Sequence, residues 1–480
     1  MSRISFLIMG VIIAFATAPH VLRSRIFASA AHATNSNSVV AAAFFGRSSS
    51  SRALARSKSS ARFSRYCSTT ADVTKPSAAE EVGGLPKNFP RRDDVAEAIR
   101  AVRMACAVTM SLQPLHSPDY YEKHPEEGIG MLSKSCSSPV TVGDFAAQAI
   151  VLNHLNSVFP GDKFIAEESS SQLRSEPGLM EEILEAASPH FTCEEELCEA
   201  IDRGQTYEPD GTLKVQDSDD ATQRFWTLDP IDGTKGFIRG KLDGGQYCVA
   251  LSLMENGVPV LGILGCPNLP ASVDDERYAW DDNETVENNH VSRGCIFVAT
   301  KGGGCYQIPL FPDGDRGENR IQSLVVTPKD CSTMKVSEAR FCVGVESGFG
   351  DYLGQQARIA EIIHGSGALD ENGAIIRARR MDSQAKHGVL ARGGAEIYIR
   401  IPHPDYVEWI WDHAAGYVVI TEAGGEMTDI DGNPMDFSVG AKLRKEVRGI
   451  AMTNGGKFHQ ALLQAFREQE AARLEAAGKS

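Results

Sequence analysis

Apolar residues recur at spacings of three and four in several parts of the chain, which is the pattern of amphipathic helices. The stretch DDVAEAIRAVRMACAVTMSLQ has an acidic start and predicts a helix that begins near Asp93. A second helix is predicted over residues 142–159, where Pro160 and Gly161 end it. The following KFIAEESS reads as a short strand that runs into an acidic turn.

From residue 226 onward, apolar runs of strand length replace the helical pattern. The segment YCVALSLMENGVPVLGILGCP has two such runs around the turn pair Asn256-Gly257, which predicts a β-hairpin, and CIFVAT and SLVVT continue as strands. Beyond about residue 320 strands and helices alternate through RFCVGV, GQQARIAEII, AEIYIRI, HAAGYVVITEA, GIAMTN and KFHQALLQAFREQEAARLEAA. This predicts an α+β domain over 93–320 and an α/β domain over 321–475. The acidic stretch 176–224 between the two patterns reads as an excursion or lid.

The first 71 residues differ from the rest in composition. Residues 4–18, ISFLIMGVIIAFATA, form an apolar run shorter than the roughly 20 residues of a membrane span, and an acid-free tract rich in Ser, Ala and Arg follows it. An apolar signal followed by a transit-like tract resembles bipartite targeting to plastids. A mitochondrial presequence is the alternative, with a cytoplasmic location as the third option. Residues 72–92 read as a linker, and no stable membrane association is expected of the mature protein.

The net charge of the chain limits the kinds of molecule that it can bind. The 480 residues carry a formal charge of −15, yet residues 1–71 hold nine Lys or Arg and no acidic residue. The remainder, with 39 basic and 63 acidic residues, carries −24. Such a body repels nucleic-acid polymers and anionic membranes, so a phosphorylated small molecule needs a local cationic or metal-filled site. The eleven cysteines include no CxxC pair, which favours reduced thiols packed in the core. We also expect the protein to be a monomer.

Acidic residues stand at the ends of several predicted elements: Asp144, the pair Glu167-Glu168, Asp229 with Asp232, and Asp412. Each has an ordinary alternative, since Asp144 fits a helix cap, Glu167 a solvated loop, and Asp412 the positive end of a helix. Together they form an oxygen-rich set suited to a hard cation such as Mg²⁺.

The turn WTLDPIDGTKGF suggests how such a set works. Asp229 and Asp232 can both face the same two metal ions, with the Ile231 carbonyl between them. The amides after Gly233 begin a helix whose N-terminus can receive a phosphate. Thr234 could then orient a water whose proton Asp144 accepts, in an in-line phosphoryl displacement assisted by two ions. Lys235 has no role in this scheme beyond adding positive charge.

The ordered motifs FIAEES, DPIDGTKGF and WDHAAG resemble the inositol-monophosphatase-like superfamily of magnesium-dependent, lithium-sensitive phosphatases, over residues 93–466. The resemblance implies the layered α-β-α-β-α sandwich shared with fructose-1,6-bisphosphatases. Within that superfamily, KGF at 235–237, GCPNL at 265–269 and above all MDSQAKH at 381–387 look like the 3'(2'),5'-bisphosphate nucleotidases. These enzymes of nucleotide and sulfur metabolism convert adenosine 3',5'-bisphosphate to AMP and phosphate, and often accept 3'-phosphoadenosine 5'-phosphosulfate.

The resemblance also implies roles for individual residues. The ligands of two or three Mg²⁺ ions would be Glu167, Asp229, the Ile231 carbonyl, Asp232 and Asp412, and Asp144 and Thr234 would activate the water. The residues expected to bind substrate are Gly233, Thr234, Ser383, Lys386, Arg400 and Asp412. A bisphosphate has one phosphate to cleave and a second that needs cations, which Lys386 and Arg400 can supply, although a surface ion pair is the ordinary reading of both.

Two positions depart from the nucleotidase pattern. Phe349, in GVESGFGDY, stands where those enzymes carry a histidine beside the nucleotide, so a ring can still stack on a base but a hydrogen bond is lost. Residues 241–244 read as a small insertion that lengthens a surface turn.

Other functions compete with this interpretation. The same chemistry would serve an inositol polyphosphate 1-phosphatase or a sulfonucleotide phosphatase. An aspartyl-phosphate phosphatase is disfavoured, because its motif spaces the two aspartates two apart whereas Asp229 and Asp232 are three apart. A non-catalytic nucleotide-binding or redox-sensing protein is a further alternative, against which the complete set of candidate ligands argues.

Overall fold

The computed structural model describes residue 82 and residues 85–123, 142–214, 224–272, 292–311, 322–324, 333–345 and 350–478. The targeting segment 1–71, most of the linker 72–92 and Phe349 lie outside the described residues. Among the described helices, none combines the length and the apolar character needed to cross a bilayer.

The first part of the described chain contains these elements in order: α1 (Arg92–Leu112), α2 (Pro118–Lys123), α3 (Val142–Val158), β1 (Lys163–Ala166), α4 (Pro177–Ala186), α5 (Glu194–Asp202), β2 (Arg224–Asp232), α6 (Thr234–Arg239), β3 (Cys248–Glu255), β4 (Val258–Pro270), β5 (Arg293–Thr300), β6 (Gly304–Pro309) and β7 (Gln322–Leu324). The strands form a seven-stranded sheet in sequence order. Strands β1 and β2 are parallel and every other neighbouring pair is antiparallel.

The later elements are β8 (Phe341–Val343), α7 (Gln355–His364), β9 (Ala378–Arg380), α8 (Ala385–Ala391), β10 (Ile397–Arg400), α9 (Ala414–Glu422), β11 (Glu426–Asp429), β12 (Ile450–Thr453) and α10 (Gly456–Ala476). Their five strands make a second, mixed sheet in the order β11-β12-β10-β8-β9. A short 3₁₀ turn, Ile410–Asp412, precedes α9.

Three apolar clusters stack the sheets and helices into five layers. One cluster joins α1 and α3 to the outer face of the seven-stranded sheet, through residues such as Val102, Leu152 and Ile263. A second places α8 and α9 between the two sheets, and a third packs α7 and α10 on the far face of the five-stranded sheet. The order is therefore helix, sheet, helix, sheet, helix, which confirms the predicted α-β-α-β-α sandwich.

Local sequence signals account for many of the elements. Asn256 and Gly257 take the left-handed conformation, with φ of 52° and 74°, as a two-residue hairpin turn of this kind requires. The predicted helices at 93 and 142–159 are present, and so are the strands in FIA, CIFVAT, RFCVGV, AEIYIRI and GIAMTN. The sequence analysis missed β6, β9, α8 and β11, which span seven residues or fewer and lack a clear period.

The acidic stretch contains ordered structure. Helices α4 and α5 form there and pack on α3 through Ile183, Leu197 and Ile201. The described part of this excursion is therefore a covering layer over α3. The eight cysteines among the described residues are all free thiols. The division into domains at residue 320 stays a prediction; β7 belongs to the first sheet and β8 to the second.

Candidate active site

The acidic turn is built where β2 ends and α6 begins. Strand β2 carries Asp229, Ile231 and Asp232, and Gly233 follows with φ of 87°. A Cβ on Gly233 would lie 2.7 Å from the Cβ of Ser383, so both conformation and space require glycine here. The Thr234 hydroxyl donates to the Ile231 carbonyl at 3.2 Å, which fixes the direction of that side chain.

The structure brings the predicted carboxylates together. Because β1 and β2 are parallel neighbours with Ala166 paired to Leu228, the next residue of each chain segment, Glu167 and Asp229, lies at the same place along the sheet, and the two carboxylates interact electrostatically. Burial raises the pKa of Asp229, and the charges of Glu167, Asp232 and Asp412 raise it further. Burial followed by repulsion from neighbouring carboxylates, Asp144 among them, likewise raises the pKa of Glu167. These carboxylates repel one another without a cation between them.

The donor set fits a hard metal ion. Asp229 is 3% exposed, and its buried Oδ1 has no hydrogen-bond partner. A buried carboxylate oxygen without a donor is costly unless a cation balances it. Carboxylate oxygens and the Ile231 carbonyl are the ligand types that Mg²⁺ prefers. The predicted ligands therefore match a divalent, oxygen-ligated ion in their chemistry.

Asp144 lies on helix α3, close enough to the carboxylates for its charge to act on Glu167. It lies in the first turn of α3 and is 2% exposed. Four residues later on the same face, Gln148 donates from Nε2 to the Glu168 carbonyl at 2.6 Å, and its Oε1 accepts from the Glu168 amide at 2.9 Å. Gln148 thus clamps the loop that carries Glu167 to the helix that carries Asp144. This role of Gln148 was not predicted, although its position four residues after Asp144 in GDFAAQ places both side chains on the same helix face.

Segment 381–387 docks directly against the acidic turn. The backbone amide of Gln384 donates to Asp232 Oδ2 at 2.8 Å, and the Gln384 side-chain Nε2 donates to the Trp411 carbonyl at 2.9 Å. Gln384 therefore joins the turn at Asp232 to the turn that carries Asp412. Ser383 takes a left-handed φ of 71°, and its hydroxyl accepts from the Ala385 amide at 3.1 Å.

Lys386 and Arg400, the two predicted cations, both act electrostatically on Asp232. Lys386 is 7% exposed and lies over the Tyr398 ring with Nζ 5.1 Å from its centroid. Burial raises the pKa of Asp232, while the charges of Lys386 and Arg400 oppose that rise. The surface ion pair considered as an alternative role does not match Lys386, which is buried, or Arg400, whose ion-pair partner Glu408 is buried. Lys235, by contrast, is exposed on the first turn of α6.

A buried ion-pair chain lies behind Arg400. The Arg400 Nε donates to Glu408 Oε1 at 2.6 Å, and His413 Nε2 is 3.0 Å from Glu408 Oε2. Burial alone would raise the pKa of Glu408, but the charge of Arg400 and the hydrogen bond from His413 outweigh it and lower the pKa to about 2. Sequence reasoning missed Glu408 and His413, since nothing in YVEWIWDH indicates which partner each one meets.

The predicted site residues thus come from both sheets and meet in one region. Asp144, Glu167, Asp229, Asp232 and Asp412 interact electrostatically, and Gly233, Thr234, Ser383, Lys386 and Arg400 lie on or beside the same turns. The turn 241–244 packs on the loop after α1, where the Lys241 amide donates to the Pro114 carbonyl at 2.9 Å. The individual catalytic and binding roles stay predictions.

The chain is similar to one protein family and to several curated relatives. The model of the inositol monophosphatase family matches residues 95–471. A 3'(2'),5'-bisphosphate nucleotidase of Emericella nidulans is 39% identical over 334 residues, which cover 66% of this chain and 85% of the relative. The corresponding enzyme of Schizosaccharomyces pombe is 36% identical, covering 75% and 91%. A 3',5'-bisphosphate nucleotidase of Arabidopsis thaliana is 33% identical, covering 78% and 95%. Among solved structures, an IMPase of Thermotoga maritima aligns at 17% identity with a TM-score of 0.46, covering 79% and 99%.

Proposed function

This chain belongs to the inositol monophosphatase family, and we propose that it hydrolyses the 3'-phosphate of adenosine 3',5'-bisphosphate to give AMP and inorganic phosphate. Curated relatives named bisphosphate nucleotidases, at 33–39% identity over most of the chain, support this substrate. The observation that carries the proposal is the docking of segment 381–387, the nucleotidase-like segment, on the acidic turn through the Gln384 amide and Asp232.

The ligands of the metal would be Glu167, Asp229, the Ile231 carbonyl, Asp232 and Asp412. Magnesium, as two or three ions, would supply the positive charge that neutralises the phosphate oxygens and favours deprotonation of the attacking water. Crowding of buried and half-buried carboxylates with raised pKa values supports this assignment, because a cation removes their mutual repulsion.

The chain's own residues position the water and accept its proton. The Thr234 hydroxyl donates its proton to the Ile231 carbonyl, so its oxygen can accept a hydrogen bond from the water. Asp144, held by α3 beside Glu167, accepts the water proton as the water oxygen attacks phosphorus. The 3'-oxygen leaves on the opposite side with the bonding electron pair and takes a proton from a solvent water to become the ribose hydroxyl; the hydroxide left behind accepts the proton held by Asp144. Gly233 and the first amides of α6 face the phosphate, and Ser383, Lys386 and Arg400 bind the nucleotide with its second phosphate.

Further properties belong to the proposal. 3'-Phosphoadenosine 5'-phosphosulfate would be a second substrate, which places the enzyme in nucleotide and sulfur metabolism, and lithium would inhibit it. The protein would act as a monomer. Residues 1–71 would direct it to an organelle, the plastid rather than the mitochondrion, which a fluorescent fusion of these residues tests.

A phosphate-release panel tests the activity. We expect adenosine 3',5'-bisphosphate to give the highest kcat/KM, followed by 3'-phosphoadenosine 5'-phosphosulfate, with inositol 1-phosphate and inositol 1,4-bisphosphate far behind. Release should require Mg²⁺ and decline with Li⁺, and Asp229→Ala should abolish it. Preference for either inositol compound would replace the nucleotidase with the inositol phosphatase alternative, and nucleotide binding without phosphate release would favour the sensor.

A further inference from the structure

Glu408 is an enclosed charged group beside the site, with its side chain 1% exposed. Each of its two oxygens has a charged or polar partner, Arg400 Nε at 2.6 Å and His413 Nε2 at 3.0 Å. Its backbone is also fixed, since the Leu443 amide donates to the Glu408 carbonyl at 2.8 Å. The carboxylate is therefore a rigid support and not a mobile surface charge.

The support connects two parts of the site. The charge of Arg400 acts on both Asp232 and Asp412, so its guanidinium lies beside the carboxylate cluster. His413 follows Asp412 directly, and its amide donates to the Ile410 carbonyl at 3.1 Å in the turn before α9. Glu408 thus links the β10 cation to the turn that presents Asp412.

We propose that Glu408 is a positioning residue: it holds the Arg400 guanidinium in the orientation that recognises the phosphate that is not cleaved, and so sets the preference for bisphosphate over monophosphate nucleotides. The inference rests on the proposed nucleotidase function. A guanidinium is planar, so a carboxylate that accepts a hydrogen bond from Nε fixes the orientation of the whole group and the directions of its other N–H bonds. A short charge-assisted bond to a buried, immobile acceptor restricts that plane more than a surface partner would.

An alternative role for Glu408 is to bind a metal ion together with Asp412 and His413. Glu408, Asp412 and His413 each place one ligand atom within 4.8 Å of the others. Both Glu408 oxygens already accept from Arg400 and His413, however, and the neighbouring guanidinium would repel a cation. The contacts favour the positioning role, and the experiment separates the two.

The test compares Glu408→Gln with the parent on adenosine 3',5'-bisphosphate and on adenosine 3'-monophosphate, which lacks the second phosphate. We expect kcat/KM for the bisphosphate to fall about 10-fold, mainly through KM, and kcat/KM for the monophosphate to change by less than about 2-fold. Glu408→Asp keeps the charge but withdraws it from Arg400, so it should lower the same ratio and serves as a second variant if Glu408→Gln fails to fold. Arg400→Lys should lower the ratio too, and adding Glu408→Gln to it should cause little further loss.

Glu396→Gln is the matched control. Glu396 is 3% exposed and also binds an arginine through both oxygens, with Arg340 Nη2 2.6 Å from Oε1 and Nε 3.1 Å from Oε2. Its substitution should leave the bisphosphate-to-monophosphate ratio unchanged, whatever it does to stability.

Four results would overturn the inference: two from kinetics and, if the parent is inactive, two from binding. Equal losses on both nucleotides would make Glu408 a general support of the fold. An unchanged ratio with weaker Mn²⁺ binding, measured by calorimetry, would make the cluster a metal site. If the parent hydrolyses neither nucleotide, the proposed function fails, and calorimetric binding of the two nucleotides in Ca²⁺ decides the inference separately. Equal discrimination by the parent and Glu408→Gln, or no binding by the parent, would then refute it.

Discussion

At the scale of single residues, the burial of Asp144 distinguishes two roles for it. A helix-capping aspartate needs only a place near the first amides, whereas Asp144 is 2% exposed and near enough to Glu167 to raise its pKa. Placing another negative charge beside an acidic cluster costs stability, so its position fits a group that accepts a proton better than one that caps a helix.

Asp144→Asn should therefore lower kcat by about 10²- to 10⁴-fold, the typical contribution of general-base catalysis, while nucleotide affinity changes little. Steady-state kinetics and calorimetric binding measure the two effects. The control is Asp93→Asn, which removes an exposed carboxylate from the first turn of α1 and should leave kcat unaltered. Parallel loss of affinity and turnover in Asp144→Asn would rule out the base role.

At the scale of elements, α8 and α9 approach each other more closely than ordinary side chains allow. A Cβ on Gly416 would lie 1.8 Å from Nδ1 of His387, a ring that is itself 2% exposed, and the Gly416 amide donates to Gln384 Oε1 at 3.3 Å. The glycine of HAAG is thus required by packing. This close contact places the segment with Ser383 and Lys386 beside the turn with Asp412.

We expect Gly416→Ala to destabilise the protein by about 1–3 kcal/mol through overpacking, and also to lower activity because α8 and segment 381–387 must move. Denaturant unfolding and kcat/KM measure the two effects. Gly178→Ala is the control: Gly178 is exposed in α4 with nothing within 4 Å of the added Cβ, so stability should hold or rise. A Gly416→Ala protein with parental stability would refute the close contact.

At the scale of the whole molecule, the central helical layer serves both the core and the site. Helix α9 packs its apolar residues between the two sheets while the turn at its start presents Asp412. The acidic cluster thus lies between elements of both sheets, and its repulsion acts against the packing that joins them. Metal binding should accordingly stabilise the entire fold as well as permit catalysis.

The stabilisation by Mg²⁺ should depend on pH. The raised pKa values of Glu167, Asp229 and Asp412 mean that the metal-free folded state binds more protons than the unfolded state above about pH 4, where unfolded carboxyls ionise. Metal-free stability should therefore fall as pH rises through the raised values. Mg²⁺ at 100 times its Kd measured at pH 7 should add about 2.7 kcal/mol at pH 7, and the same concentration should add less at pH 5, where protons compete for the carboxylates and raise the Kd.

Thermal unfolding with and without Mg²⁺ at the two pH values measures this difference. Asp229→Asn removes one charge of the cluster, so the metal-free variant should be more stable than the metal-free parent at pH 7 and should gain less from Mg²⁺. An equal Mg²⁺ effect at both pH values would contradict the assignment of these carboxylates as ligands.

Elements with local, repeated patterns could be predicted from the order of the amino acids. Residues three and four apart share a helix face and alternate residues share a strand face, so the periods of α1, α3 and the β3–β4 hairpin reflect burial directly. Dense motifs such as DPIDGTKGF and MDSQAKH likewise carry their chemistry in adjacent letters, which is why the candidate ligands were recognisable.

Contacts between distant residues could not be predicted in this way and became visible in the folded chain. Gln384 bonds to Asp232 across 152 positions, and Gln148 to Glu168 across 20. Glu408 lies only eight residues from Arg400, yet the contact depends on how the turn before α9 packs against β10. The physical reason is that periodicity records which residues are buried and not what they are buried against; that choice is made when the two sheets close on the central helices.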